Sequence, residues 1–122
     1  MKEGRDSFRV LGDVVILYAE NYINDIEGEK LEDMCEAFLK KGAKKILIDF
    51  SGTDLINSIG VSILIGLIEK VRDCKAVVFF SGLKKVNYDI IDLVGITRHI
   101  QVFNSEDEAL KEFEEPGSDL LV

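Results

Sequence analysis

Apolar residues recur along this chain in two rhythms, and the switch between them marks the elements. Residues 8–11 and 14–19 are short β-type runs on either side of Gly12-Asp13, which predicts a hairpin. The rhythm then changes. Leu31, Met34, Cys35, Phe38 and Leu39 fall at helical spacing, with Glu29, Lys30, Glu32, Asp33, Glu36 and Lys40 on the other side. Asn24 followed by Glu27 has the form of a capping box, and Gly42 is the stop. Ile46-Leu47-Ile48 is a continuous apolar run, as expected of a strand covered on both faces.

Asp49-Phe50-Ser51-Gly52 ends that strand, and the spacing predicts a helix over 58–72. A second interior strand follows at 76–80, Ser81-Gly82 opens a loop, and a third helix runs over 84–94 with Gly95 after it. Residues 100–103 read as a short strand. Ser105 and Glu108 form another capping box, with Glu106 and Asp107 complementing the dipole of a last helix. The predicted order is ββαβαβαβα. That is an α/β fold: a small mixed β-sheet with an N-terminal hairpin, then parallel strands joined by right-handed helical crossovers.

The helix over 58–72 holds the most informative positions. Ile63, Leu64, Leu67, Ile68 and Val71 form its expected buried stripe. Ser58, Ser62, Ile65 and Glu69 fall roughly opposite, with Ile59 beside them and Gly66 between. An apolar patch rimmed by polar groups suits docking with a partner, unless other elements bury both faces. Ser58 has three readings. Asn57 and Ser58 are both good N-cap types, so Ser58 could be only a cap. It could be a nucleophile, but the single histidine, His99, is the only candidate base of that type and no GxSxG elbow is present. Or it could accept a phosphate, which would meet free N–H groups and the positive end of the helix dipole.

Composition narrows the class. With 122 residues, 47% of them hydrophobic, the chain suits one domain with a proper core. We place that domain at residues 1–115 and a tail at 116–122. The net charge of −8 argues against a nucleic-acid partner, which needs a basic footprint. Cys35 and Cys74 form no CxxC pair and read as reduced thiols. The longest apolar run is too short to span a bilayer, and MKEGRDSF has no apolar core behind it, so a cytoplasmic protein with no membrane partner is expected.

Other candidate chemistry is weak. Asp49 and Asp54 read as turn residues rather than a carboxylate pair. Gly52 and Gly60 match neither nucleotide-loop spacing. His99 has no partnered ligand pattern. The acidic run Glu106, Asp107, Glu108, Glu112, Glu114 and Glu115 reads as a solvated helix face, and Lys84 and Lys85 as a possible electrostatic contact. No catalytic residue, metal or cofactor is expected.

Ile48-Asp49-Phe50-Ser51-Gly52, Ile56-Asn57-Ser58-Ile59-Gly60, Gly82-Leu83 and Leu93-Val94-Gly95-Ile96 together resemble the STAS domain family, most closely its bacterial anti-sigma factor antagonists. The likeness covers about residues 8–114. In the family motif D-x-S-G-x-x-x-[IL]-D-S-[ST]-G, the serine after the second aspartate is the usual phosphorylation target, which is Ser58 here. This chain departs from the motif at Asn57, where the family has aspartate, and at Ile59, where it has a hydroxyl residue. The aspartate frequent after the late T-G is also replaced, by the stretch Val94-Gly95-Ile96-Thr97. The resemblance implies partner switching. The antagonist binds an anti-sigma factor that is also a serine kinase of the GHKL type, which frees the sigma factor. The kinase phosphorylates the antagonist, which lets go, and a PP2C-type phosphatase resets it. The expected partner surface is Asn57, Ser58, Ile59, Ser62, Ile65 and Glu69. The alternative is a STAS module that binds a small ligand or lipid, as a sensor or transporter-associated subunit, with a pocket lined by Phe79, Phe80 and the third helix.

Overall fold

The computed structural model describes residues 7–115. The proposed tail at 116–122 and most of the N-terminal stretch lie outside the described residues. The elements run β1 (Phe8–Leu11), β2 (Val14–Tyr18), β3 (Tyr22–Ile23), α1 (Asp25–Lys40), β4 (Lys45–Asp49), β5 (Leu55–Ile56), α2 (Ser58–Asp73), β6 (Val77–Ser81), α3 (Lys85–Leu93), a 3-10 turn (Ile96–Arg98), β7 (Gln101–Phe103) and α4 (Glu106–Glu114). The main sheet has the order β1-β2-β4-β6-β7. Only the β1–β2 hairpin is antiparallel, and the three remaining pairs are parallel. Gly12, at φ +62°, makes the tight hairpin turn that residues with a Cβ rarely adopt.

Alternation along the strands divides the core in two. Val15, Leu17, Ile46, Ile48, Val78 and Phe80 point to the face covered by α1, α2 and α3. Val14, Ile16, Tyr18, Leu47 and Phe79 point to the other face, where α4 covers them with Ala109 and Phe113. Phe79 stacks on Phe113 with ring centroids 4.1 Å apart. Both faces are therefore dry, which is why β4 needed apolar residues at consecutive positions.

The element order expected from the sequence is present with two additions, β3 and β5. These two-residue strands pair in parallel, Tyr22 with Leu55 and Ile23 with Ile56, and form a separate small sheet at the foot of α2. Segments this short carry no readable period. Within α2, Gly60 and Val61 are buried, whereas Ile63, expected in the buried stripe, is half-buried. Its side chain lies against Gly28 of α1, where a Cβ would come within 3.0 Å of it. The close crossing of α1 and α2 covers one side of Ile63 and leaves the rest open.

Candidate functional site

The start of α2 is fixed from below, from the side and from within. Asn57 is the N-cap: its Oδ1 accepts the Gly60 N–H at 2.8 Å. Its own N–H donates to the Ile23 carbonyl at 3.0 Å, and its amide nitrogen donates to the Tyr22 hydroxyl at 3.2 Å. Gly60 rests directly on β3. A Cβ there would lie 2.3 Å from the Ile23 carbonyl oxygen, so only glycine allows this approach.

The loop before the helix is tied down by buried polar side chains. Thr53, fully buried, donates its hydroxyl to the Glu20 carbonyl at 2.7 Å. Asn87 of α3, also fully buried, accepts the Ile56 N–H at 3.0 Å and donates to the Thr53 carbonyl at 3.2 Å. The buried Asp49 carboxylate at the end of β4 accepts from Ser51 Oγ at 2.5 Å and from Ser81 Oγ at 2.9 Å. Asp54 pairs instead with Lys84, and Lys85 with Asp89, so Asp49 and Asp54 do not act as a carboxylate pair.

Ser58 is the first residue of the helix, not its cap, and its side chain is exposed. The N–H groups of the first helical turn that Asn57 does not cap have no intrahelical partner. Around Ser58 lie Tyr22, Leu55 and Ile59, all more than 40% exposed. Along the helix, Ser62, Ile65 and Glu69 are exposed on successive turns, while Asn57 sits half-buried at the base. The structure thus brings the six expected partner-facing residues onto one surface. Sequence reasoning missed Thr53, Asn87 and the seat under Gly60. Asn87 had one signal: a polar residue four positions before Ile91, on the buried stripe of α3.

His99 caps the 3-10 turn before β7, at the opposite end of the sheet from Ser58. Among the described residues no group of three or more His, Cys, Asp or Glu could hold a metal, and no helix is long and apolar enough to cross a membrane. The expected pocket at Phe79, Phe80 and α3 is not formed as such. Phe80 is fully buried edge-on against Phe50, and the Phe79 ring lies on the opposite face of the sheet from α3, stacked on Phe113.

No curated sequence matches the chain significantly. Solved structures do. Protein TM1081 of Thermotoga maritima is 19% identical, with a TM-score of 0.77 over 88% of this chain and 93% of its own. An anti-sigma factor antagonist from Mycobacterium paratuberculosis is 18% identical, with a TM-score of 0.78 over 88% and 92%. The Bacillus cell fate determinant SpoIIAA in its phosphorylated form is 14% identical, with a TM-score of 0.68 over 87% and 98%. At these identities the structures establish a shared fold. The family model of the STAS domain matches residues 7–109, nearly the whole of the described chain. The chain belongs to the STAS domain family.

Proposed function

We propose that this chain is an anti-sigma factor antagonist whose docking surface is switched by phosphorylation of Ser58. It acts by binding rather than by catalysis. In its unmodified form it binds an anti-sigma factor that is also a GHKL-type serine kinase, and so frees the sigma factor. A PP2C-type phosphatase reverses the modification. The observation that carries this reading is the exposed Ser58 side chain in the first turn of α2, beside an exposed apolar rim. The STAS family match and the antagonists among its structural neighbours support it.

The physics of the switch follows from position. A phosphate on Ser58 meets unpaired N–H groups and the positive end of the helix dipole, so the fold tolerates it. The docking surface, by contrast, gains nearly two negative charges among Ile59, Leu55 and Ile65. A partner that desolvates those side chains would have to desolvate the phosphate as well. Asn57, in the place of the family's aspartate, leaves the acceptor without an adjacent carboxylate.

Incubation with the cognate kinase and ATP, followed by mass spectrometry, tests the assignment. A single phosphate on Ser58, absent from Ser58→Ala, is expected. Modification elsewhere, or undiminished kinase binding by the phosphorylated chain, would overturn it.

A further inference from the structure

A groove lies at the far end of the sheet from Ser58, between the last turns of α2, the start of β6 and residues 97–101. It encloses about 420 Å³. Its origin is a mismatch in strand length. β7 pairs with β6 only from Phe79 onward, so Val77 and Val78 run on without a β7 neighbour while the 3-10 turn swings away. The floor of the groove is apolar, made by Ile68, Val71, Val78 and Ile100.

Its rim is cationic. Arg72, Arg98 and His99 all line it, brought together from α2 and from the turn before β7. The chain carries 23 acidic residues against 15 Lys and Arg, so carboxylate partners are plentiful. Arg9, Lys45, Lys70, Lys84 and Lys85 each have one. Arg72, Arg98 and His99 have none among the described residues. The C-terminal dipole of α2 accounts for a cation at Arg72. It does not account for Arg98 or His99, which belong to another element. Thr97, also on the rim, gives its hydroxyl to Asp92 at 2.6 Å, so the nearby carboxylate is already engaged.

We propose that this groove binds a small organic oxyanion, a carboxylate or phosphate monoester with a short apolar tail. The two guanidinium groups supply planar forks suited to an oxyanion, and His99 adds a ring N–H donor. The tail would cover the Ile68, Val71, Val78 and Ile100 floor. This assignment does not depend on the role given to Ser58.

Titration of the isotope-labelled full chain with hexanoate, hexyl phosphate, inorganic phosphate and hexylammonium, followed by backbone amide shifts, tests it. Hexanoate or hexyl phosphate should produce saturable shifts at millimolar concentration, centred on Arg72, Val77 and residues 97–101; the stronger of the two identifies the head group. Inorganic phosphate should bind about tenfold more weakly or worse, for want of the apolar contact. Arg72→Ala and Arg98→Ala should each weaken binding by about tenfold. A well-dispersed spectrum of each variant shows that it is folded. The proposal is overturned by no saturable shift, by shifts centred at another surface, by unchanged affinity in both arginine variants, or by hexylammonium binding as well as hexanoate.

Discussion

Asn87 reaches from the buried side of α3 to the backbone of Ile56, two residues before Ser58, and accepts its N–H at 3.0 Å. One side chain thus couples the third helix to the approach of the second. The same amide donates to the Thr53 carbonyl at 3.2 Å, so both of its functional ends are satisfied in a dry environment. Asn87→Ala leaves two buried backbone groups unpaired and should destabilise the chain by about 2–3 kcal/mol. Urea unfolding measures the loss. Phosphorylation at the proposed acceptor, Ser58, should also slow in the folded variant, because the loop that presents it loosens. Unchanged stability would show that the loop holds itself.

The seat of Gly60 on Ile23 gives a second expectation. Gly60→Ala cannot be accommodated without moving α2 off β3, since the added carbon meets backbone rather than a flexible side chain. A loss of at least about 1–3 kcal/mol is expected despite the better helix propensity of alanine. Gly66→Ala is the control: a Cβ there comes no closer than 3.4 Å to the Glu32 carboxylate, and the change should be neutral or stabilising. Thermal unfolding of the two variants separates the effects.

Capping and the proposed modification fall on adjacent residues, and mutation can tell them apart. Asn57→Ala should cost about 1 kcal/mol, because Asn57 holds the Gly60 N–H. Ser58→Ala should stay within about 0.5 kcal/mol of the parent, since Ser58 caps nothing. A loss at Ser58 equal to that at Asn57 would return Ser58 to a structural role. Asn57→Asp should keep the cap and place a carboxylate beside the acceptor, which a kinase assay would register as a changed rate.

The two thiols should differ sharply. Cys74 is exposed, whereas Cys35 is buried in the α1–α2 contact, and burial pushes its thiol from 9.0 up to about 12. A thiol reagent at neutral pH should modify one cysteine in the folded chain and two in denaturant. The folded chain holds the Cys35 proton more tightly than the unfolded one does. Its contribution is therefore complete below pH 9.0 and is lost as the pH rises toward about 12. Relative to Cys35→Ala, the parent should lose stability across that window.

Much of this architecture was legible because local signals agreed with one another. Ile46-Leu47-Ile48 announced a strand buried on both faces, and Asn24 and Ser105 cap α1 and α4 as their spacing implied. The row Ser58, Ser62, Ile65, Glu69 is exposed because helical geometry fixes which residues share a face. What escaped notice depends on contacts between distant segments. Tyr22-Ile23 and Leu55-Ile56 become strands only by meeting each other. Arg72 and Arg98 share a groove only because β7 starts late against β6. Ile63 looked like core by spacing alone, but only the side that meets Gly28 of α1 is covered.

With its first turn locked against the main chain of Ile23, α2 has little room to answer a modification by moving. The message written on Ser58 would then be carried as charge and not as shape. An acidic substitution delivers a single charge on a flat carboxylate, where the phosphate delivers close to two on a tetrahedral group. Imitation by Ser58→Asp should accordingly be partial, a dimmer where the true modification is a switch.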